Sequence, residues 1–115
     1  MRRTWRRVRS AGPGEVRSPH APRTPSPPAG TPAETRCRVC GLDEGEERVD
    51  GTGSPQYTIC SCCGAESGVD DLSTDLVRRY RDDWVARAAP WFTEAERPTG
   101  WTLAHQLTQI PPEWR

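Results

Sequence analysis

Four of the five cysteines form two matched pairs, and their spacing constrains the fold of this chain more than any other feature. The pattern is C-x2-C-x19-C-x2-C, built from Cys37, Cys40, Cys60 and Cys63. This spacing is typical of a tetrahedral site in which four thiolates hold a zinc ion. The sequence therefore predicts one metal ion bound by these four cysteines.

A glycine follows each pair, at Gly41 and Gly64. Because glycine tolerates a positive φ, the chain can fold back there and direct a backbone N–H at a cysteine sulfur. The repeated C-x-x-C-G therefore predicts two zinc knuckles. Four thiolates leave no open coordination position, so we expect the metal to be structural rather than catalytic.

Two alternatives remain for the paired cysteines. The same four thiolates would accept iron, as in rubredoxin-type sites, although the abundance of zinc favours that metal. A thioredoxin-like redox pair needs a single C-x-x-C at a helix start in a βαβ context, and this sequence has no such context around either pair. Cys62 does not repeat the spacing of the first pair, so we expect it to be a small, partly buried apolar side chain.

Charge divides the chain into two regions. Residues 1–36 hold eight arginines and two acidic residues, a net of +6, together with seven of the twelve prolines. Such a segment buries too little apolar surface to offset its ordering entropy, so we expect a disordered Arg/Pro-rich tail. It is either a dispensable extension or a basic arm that contacts nucleic acid or an acidic partner.

Residues 37–115 form the predicted domain, with eight arginines against fourteen acidic residues, a net of −6. Within it, residues 37–69 are the metal module, in which Arg48-Val49 and Tyr57-Thr58-Ile59 predict a short hairpin. Residues 70–115 are the helical part. The predicted fold is therefore a small α+β, zinc-ribbon-like domain with one long and one short helix.

The long helix is predicted over residues 72–89, with an inward face of Leu72, Leu76, Tyr80, Trp84 and Ala88 beside Val77 and Val85. Asp70, Asp71, Ser73 and Asp75 are interpreted as capping and first-turn residues of this helix and Asp82-Asp83 as a solvated face. Arg78, Arg79, Arg81 and Arg87 are placed on that same outer face. A shorter helix from Trp101 to Gln109 would turn Leu103, Leu107 and Ile110 inward.

Several functional classes find little support. No segment approaches the roughly 18 apolar residues of a membrane span, and no apolar region follows the arginine-rich start as a signal peptide requires. We expect a cytoplasmic protein, where C-x-x-C pairs are more often metal ligands than disulfides. His105 has no paired carboxylate or nucleophile in view, so no catalytic residue is predicted.

Five short segments complete the pattern: Ile59-Cys60-Ser61-Cys62-Cys63-Gly64, Gly68-Val69-Asp70-Asp71, Arg81-Asp82-Asp83-Trp84, Ala89-Pro90-Trp91-Phe92 and Gly100-Trp101. With these in order, residues 37–115 resemble the small bacterial Cys-rich CPCC-type proteins, whose second knuckle typically runs I-C-P-C-C-G. Ser61 and Arg38 depart from the family, where proline is typical. The resemblance implies a cytoplasmic zinc-bearing module and, for some relatives, an accessory or immunity-type role.

We therefore expect a non-enzymatic, zinc-stabilised protein-interaction or accessory module. The alternative is a small nucleic-acid-binding or regulatory zinc ribbon that uses the arginine-rich tail. A nucleic-acid surface needs a basic patch, and the acidic domain disfavours it, so an unidentified protein partner is predicted first. Exposed aromatic residues around Trp91, Phe92 and Trp101 are candidates for its contact surface, with core packing as the competing interpretation.

Overall fold

Two helices and a series of short bridged turns make up residues 32–115, the part of the chain that this computed structural model describes. The two-knuckle segment comes first, followed by helix α1 (Thr74–Ala86) and helix α2 (Leu103–Leu107). Short 3₁₀ turns at Glu94–Glu96 and Pro112–Trp114 follow α1 and α2 respectively. The prediction of a disordered tail falls mainly on residues 1–31, which lie outside the described residues.

The predicted hairpin does not form as a pair of strands within residues 32–115. Isolated antiparallel bridges take its place, joining Glu34 to Val49, Arg36 to Asp43, Val49 to Pro55 and Ile59 to Glu66. Tyr57 has a φ of 57°, a left-handed conformation that interrupts the β-prone run between Val49 and the second knuckle. The four-cysteine, two-helix arrangement is confirmed, whereas the zinc-ribbon α+β assignment stays a prediction.

Glu34 and Arg36, which stand on the tail side of the predicted boundary at residue 37, pair with the metal module. The Glu34 amide donates to Val49 O at 2.8 Å, and its carbonyl accepts from Arg48 N at 2.7 Å. The Glu34 carboxylate also makes a two-pronged ion pair with Arg38, at 2.8 Å for each oxygen. The ordered backbone pairing therefore begins before the first cysteine.

Helix α1 begins at a serine cap and ends before a proline. The Ser73 hydroxyl accepts from Leu76 N at 3.2 Å, which satisfies one of the free amides of the first turn. At the other end Ala88 and Ala89 adopt positive φ values of 70° and 50°, and the Ala89 amide folds back to Trp84 O at 2.9 Å. The helix is therefore shorter at both ends than the predicted span of residues 72–89.

The buried face of α1 is rotated from the predicted one. Val77 and Trp84 are fully buried, while Leu72 is 63% exposed and Leu76 is 36% exposed. A strict four-residue spacing drifts by about 40° per step around a helix of 3.6 residues per turn. The true inner face therefore follows the three- and four-residue steps through Val77, Arg81 and Trp84, and the predicted inward positions at Leu72, Leu76, Val85 and Ala88 are wrong.

Cysteines and tryptophans form most of the core. Trp84 is fully buried and its indole N–H donates to Pro90 O at 2.8 Å. Trp91 is buried and packs edge-on against Trp101, with ring centroids 5.6 Å apart and planes at 86°. Leu103 and Leu107 pack against this core from helix α2, and Ile110 is buried. The predicted inward face of the short helix is confirmed.

No helix among residues 32–115 combines the length and apolar character needed to cross a bilayer. Helix α1 has 13 residues and carries charged side chains along its outer face. Helix α2 has only five residues.

Gly41 lies where the first knuckle passes the end of helix α2. Its φ is 85°, and a Cβ placed on it would stand 2.4 Å from the carbonyl carbon of Gln109. Gly45 has a similar φ of 78° but open space around the same position. The two glycines therefore separate the effect of backbone conformation from that of a steric clash.

We predict that Gly41→Ala destabilises the protein by about 3 kcal/mol or more, since it combines left-handed strain with overpacking against backbone. Gly45→Ala should cost only the conformational part, about 1–2 kcal/mol. Denaturant unfolding of both variants in the metal-loaded protein measures the difference. Equal losses of stability would contradict the close approach of the knuckle to Gln109.

Candidate metal centre

The four predicted ligands meet in the middle of the described domain. The Sγ atoms of Cys37, Cys40, Cys60 and Cys63 all lie within 4.8 Å of one another. Cys37 Sγ is 3.7 Å from Cys63 Sγ, and Cys40 Sγ is 3.6 Å from Cys60 Sγ. All four side chains are buried. The fold therefore brings together the residues that the spacing singled out.

These separations fit a metal rather than a pair of disulfides. An S–S bond is about 2.05 Å long, far shorter than either contact. A regular tetrahedron of sulfurs around zinc, with bonds of about 2.3 Å, has edges of about 3.8 Å. The two sulfur contacts of 3.7 and 3.6 Å match those edges. The cluster could therefore hold one metal ion.

The two knuckles are built in the same way. In each, the amide two residues after the first cysteine donates to its sulfur, from Val39 to Cys37 and from Cys62 to Cys60, both at 3.4 Å. The amide of each following glycine donates to the carbonyl of the first cysteine at 2.9 Å. Gly41 and Gly64 have φ values of 85° and 82°. The predicted role of these glycines in folding the chain back is confirmed.

The helices hold the second cysteine of each pair through its carbonyl. From α1, the Tyr80 hydroxyl donates to Cys63 O at 3.0 Å. From α2, the buried Gln106 side chain donates through Nε2 to Cys40 O at 3.0 Å, while its Oε1 accepts from Trp101 Nε1 at 3.0 Å. Burial, with the neighbouring charge of Cys63, raises the pKa of Tyr80 to about 12, so its hydroxyl remains a donor at neutral pH.

Arg81 ties helix α1 to the first knuckle and to the end of the chain. Its Nε donates to Val39 O at 2.7 Å, and its Nη2 donates to Arg38 O at 3.1 Å and Trp114 O at 2.7 Å. Its placement on the solvated outer face was therefore wrong. Sequence reasoning missed these contacts because the half-buried Arg81 takes its acceptors from distant segments, which no local pattern indicates.

The electrostatics of the cluster follow from four thiols in mutual contact. Hydrogen bonds from Cys40, Cys60 and Cys63 hold the pKa of Cys37 well below its usual value, against the effect of burial. The hydrogen bond to Cys37 raises the pKa of both Cys40 and Cys60, and burial raises that of Cys63. A divalent cation bound there would displace the remaining thiol protons, because thiolates are its ligands.

The other candidate residues take simpler positions. Cys62 is buried and lies outside the group of four, as expected for a small apolar side chain. Asp82 and Asp83 are exposed, which confirms their place on a solvated face, and His105 is exposed on α2. Phe92 is 62% exposed, whereas Trp91 is 7% exposed, so only one of this adjacent aromatic pair is free for contact.

Asp70 and Asp71 do not cap the helix, so that interpretation is wrong. Asp70 accepts from Glu66 N and Asp71 accepts from Gly68 N, both at 2.8 Å. Their carboxylates therefore close the turn that precedes α1, while Ser73 caps the helix. Asp71 is only 1% exposed, which the adjacent acidic pair in the sequence did not indicate.

Comparison with known proteins adds no family assignment. No protein-family model matches this chain, and neither curated proteins nor solved structures give a match. The resemblance to the CPCC-type family therefore stays a prediction.

We predict one bound metal ion per chain in the purified protein, measured by elemental analysis. Cys60→Ser should lose the ion, because it removes one of four sulfurs from the cluster. Cys62→Ser is the matched control and should retain it, since this neighbouring cysteine lies outside the group. Loss of metal from Cys62→Ser with retention in Cys60→Ser would contradict the ligand assignment.

Proposed function

We propose that this protein is a non-enzymatic interaction module stabilised by a structural zinc ion. The observation that supports it is the closed, buried group of Cys37, Cys40, Cys60 and Cys63, whose sulfur separations suit one tetrahedral ion. Structural zinc in small modules contributes an apparent ~10–16 kcal/mol of folding free energy. A domain of this size, whose core is largely cysteine, would depend on that contribution.

Zinc is proposed over iron because it is more abundant and suits tetrathiolate sites without redox chemistry. A structural role follows from the donor set, since four protein ligands leave no position for water or substrate. The thiolates need a reducing compartment to remain free, and we propose the cytoplasm. The CPCC-type resemblance of residues 37–115 is consistent with this assignment.

The proposed contact surface lies around the second knuckle and the start of helix α1. We call it the apolar surface and define it by Val69, Leu72, Leu76 and Phe92, which are between 36% and 63% exposed. Phe92 is anchored to the second knuckle, because its amide donates to Cys62 O at 2.9 Å. Leu72 and Leu76 are the positions that periodicity assigned to the core. Large side chains left exposed in this way are typical of interaction sites.

The charge of the domain indicates what kind of partner this surface fits. Residues 32–115 carry nine arginines against fifteen acidic residues, a net of −6. Acidic residues also lie within two sequence positions of the members of the apolar surface, at Asp70, Asp75 and Glu94. We therefore propose a protein partner that presents apolar side chains within a basic rim, since complementary charge speeds encounter and excludes acidic competitors.

The test is co-purification from the host with tagged protein, followed by identification of bound proteins. We predict that Leu72→Asp reduces recovery of the partner at least about tenfold, since it places a charge in the contact. Val85→Asp is the matched control: Val85 is 37% exposed on α1 but lies outside the apolar surface, and its substitution should leave recovery unchanged.

Both variants should keep the metal content of the wild type, which separates binding from folding. Recovery should fall as salt rises if a basic rim contributes. A recovered partner without a basic surface, equal effects of the two substitutions, or a metal-dependent dimer of this chain that requires Leu72 would contradict the proposed partner.

The second candidate function is nucleic-acid binding by the arginine-rich tail, favoured by the +6 charge of residues 1–36. Because residues 32–115 are acidic, we predict that they bind neither DNA nor RNA at physiological salt. The full chain should bind weakly, without sequence preference, and with a steep loss as salt rises. Fluorescence anisotropy with both nucleic acids measures this. Sequence-selective binding by residues 32–115 would favour the nucleic-acid function instead.

A further inference from the structure

Arg48 is a buried cation of the described domain. The residue is 5% exposed, and its Nε atom has no hydrogen-bond partner among residues 32–115. Its Nη2 atom donates to Ala65 O at 3.1 Å. None of the ion pairs found within residues 32–115 includes Arg48. Burying a guanidinium whose hydrogen bond is to a carbonyl alone costs folding free energy, so a negative group is expected nearby.

The position of Arg48 points to the cysteine cluster as that group. The carbonyl that it contacts, Ala65 O, also accepts from Cys60 N at 3.0 Å and so closes the second knuckle. Burial acts to lower the pKa of Arg48, but the negative charges of Cys37, Cys60, Asp71 and Cys63 raise it above its usual value. The guanidinium and Cys60 therefore share the Ala65 carbonyl, which places Arg48 beside the second knuckle.

Asp71 is the second negative group near this arginine. It is 1% exposed, and its Oδ2 atom has no partner although Oδ1 accepts from Gly68 N at 2.8 Å. Burial raises the pKa of the Asp71 carboxyl, while the charges of Arg38 and Arg48 lower it. Arg48 and Asp71 are thus two buried groups of opposite charge, each with an atom that lacks a hydrogen-bond partner within residues 32–115.

We propose that Arg48 is the buried counter-ion of the metal centre. The negative charge of Asp71 offsets part of the Arg48 charge and so weakens its effect on the centre. This inference rests on the proposed metal site. Four thiolates around a divalent ion carry a net charge of −2, which is costly to bury without a cation. Arg48 supplies a cation from within the domain and offsets one of these two charges.

Metal affinity is the first readout. Competition with a chromophoric chelator should show that Arg48→Met binds Zn²⁺ at least about tenfold more weakly, because the centre loses its neighbouring positive charge. Arg48→Lys should remain within about threefold of wild type, since it keeps the charge. Arg79→Met removes an exposed arginine of helix α1 and is the matched control, expected to leave affinity unchanged.

The second readout is the midpoint potential of the iron-loaded protein, which responds to charge rather than to packing. Loaded with iron, the tetrathiolate centre carries −1 as Fe(III) and −2 as Fe(II), so a nearby cation favours the reduced state. The midpoint potential should fall in Arg48→Met and rise in Asp71→Asn, which removes a negative charge while keeping an oxygen for Gly68 N. Arg48→Lys and Arg79→Met should stay near the wild-type potential. Redox titration at pH 8 measures all four.

Opposite shifts of the midpoint potential in Arg48→Met and Asp71→Asn support the proposal. Unchanged metal affinity and unchanged potential in folded Arg48→Met overturn it. If Arg48→Met does not fold, as judged by tryptophan fluorescence, Asp71→Asn decides the matter: a raised potential supports the proposal and an unchanged one overturns it. Failure of the wild-type protein to bind any metal would refute the proposed function itself, and is distinguishable from these outcomes.

Discussion

The rest of this structure depends on the contact between four buried sulfur atoms. Cys37 meets Cys63 at 3.7 Å and Cys40 meets Cys60 at 3.6 Å, across the two halves of the metal module. Apart from isolated bridges, residues 32–115 contain no strand pairing that could hold these halves together. The sulfur cluster therefore substitutes for both a sheet and much of an apolar core, which explains how so small a domain is ordered.

The helices are arranged to hold this cluster rather than to form a bundle. Tyr80 from α1 and Gln106 from α2 each donate to the carbonyl of the last cysteine of one knuckle. Arg81 adds bonds to Val39 and Trp114, joining the first knuckle to the end of the chain. These partners fix the cysteine backbone, and interactions of this kind orient the ligands of a metal site. Polar side chains thus do the positioning that apolar packing does in larger cores.

The same arrangement leaves several apolar side chains exposed to solvent. Because Val77, Arg81 and Trp84 form the inner face of α1, Leu76 is turned towards solvent, and Leu72, which precedes the helix, is exposed as well. In an ordinary amphipathic helix those leucines would be part of the core. Their exposure, together with that of Phe92, on an acidic domain is the basis for the proposed interaction surface.

The sequence by itself determined the group of four cysteines, the two glycine turns and the existence of two helices, because these depend on residue type and local spacing. Tertiary structure decided which face of α1 is buried, since the periodicity of Leu72, Leu76 and Tyr80 competed with a second face containing an arginine. It also decided that Arg48 and Asp71 are buried and that Arg81 is half-buried. Charged residues can be buried only where acceptors or opposite charges converge from distant segments, and no local pattern encodes that convergence.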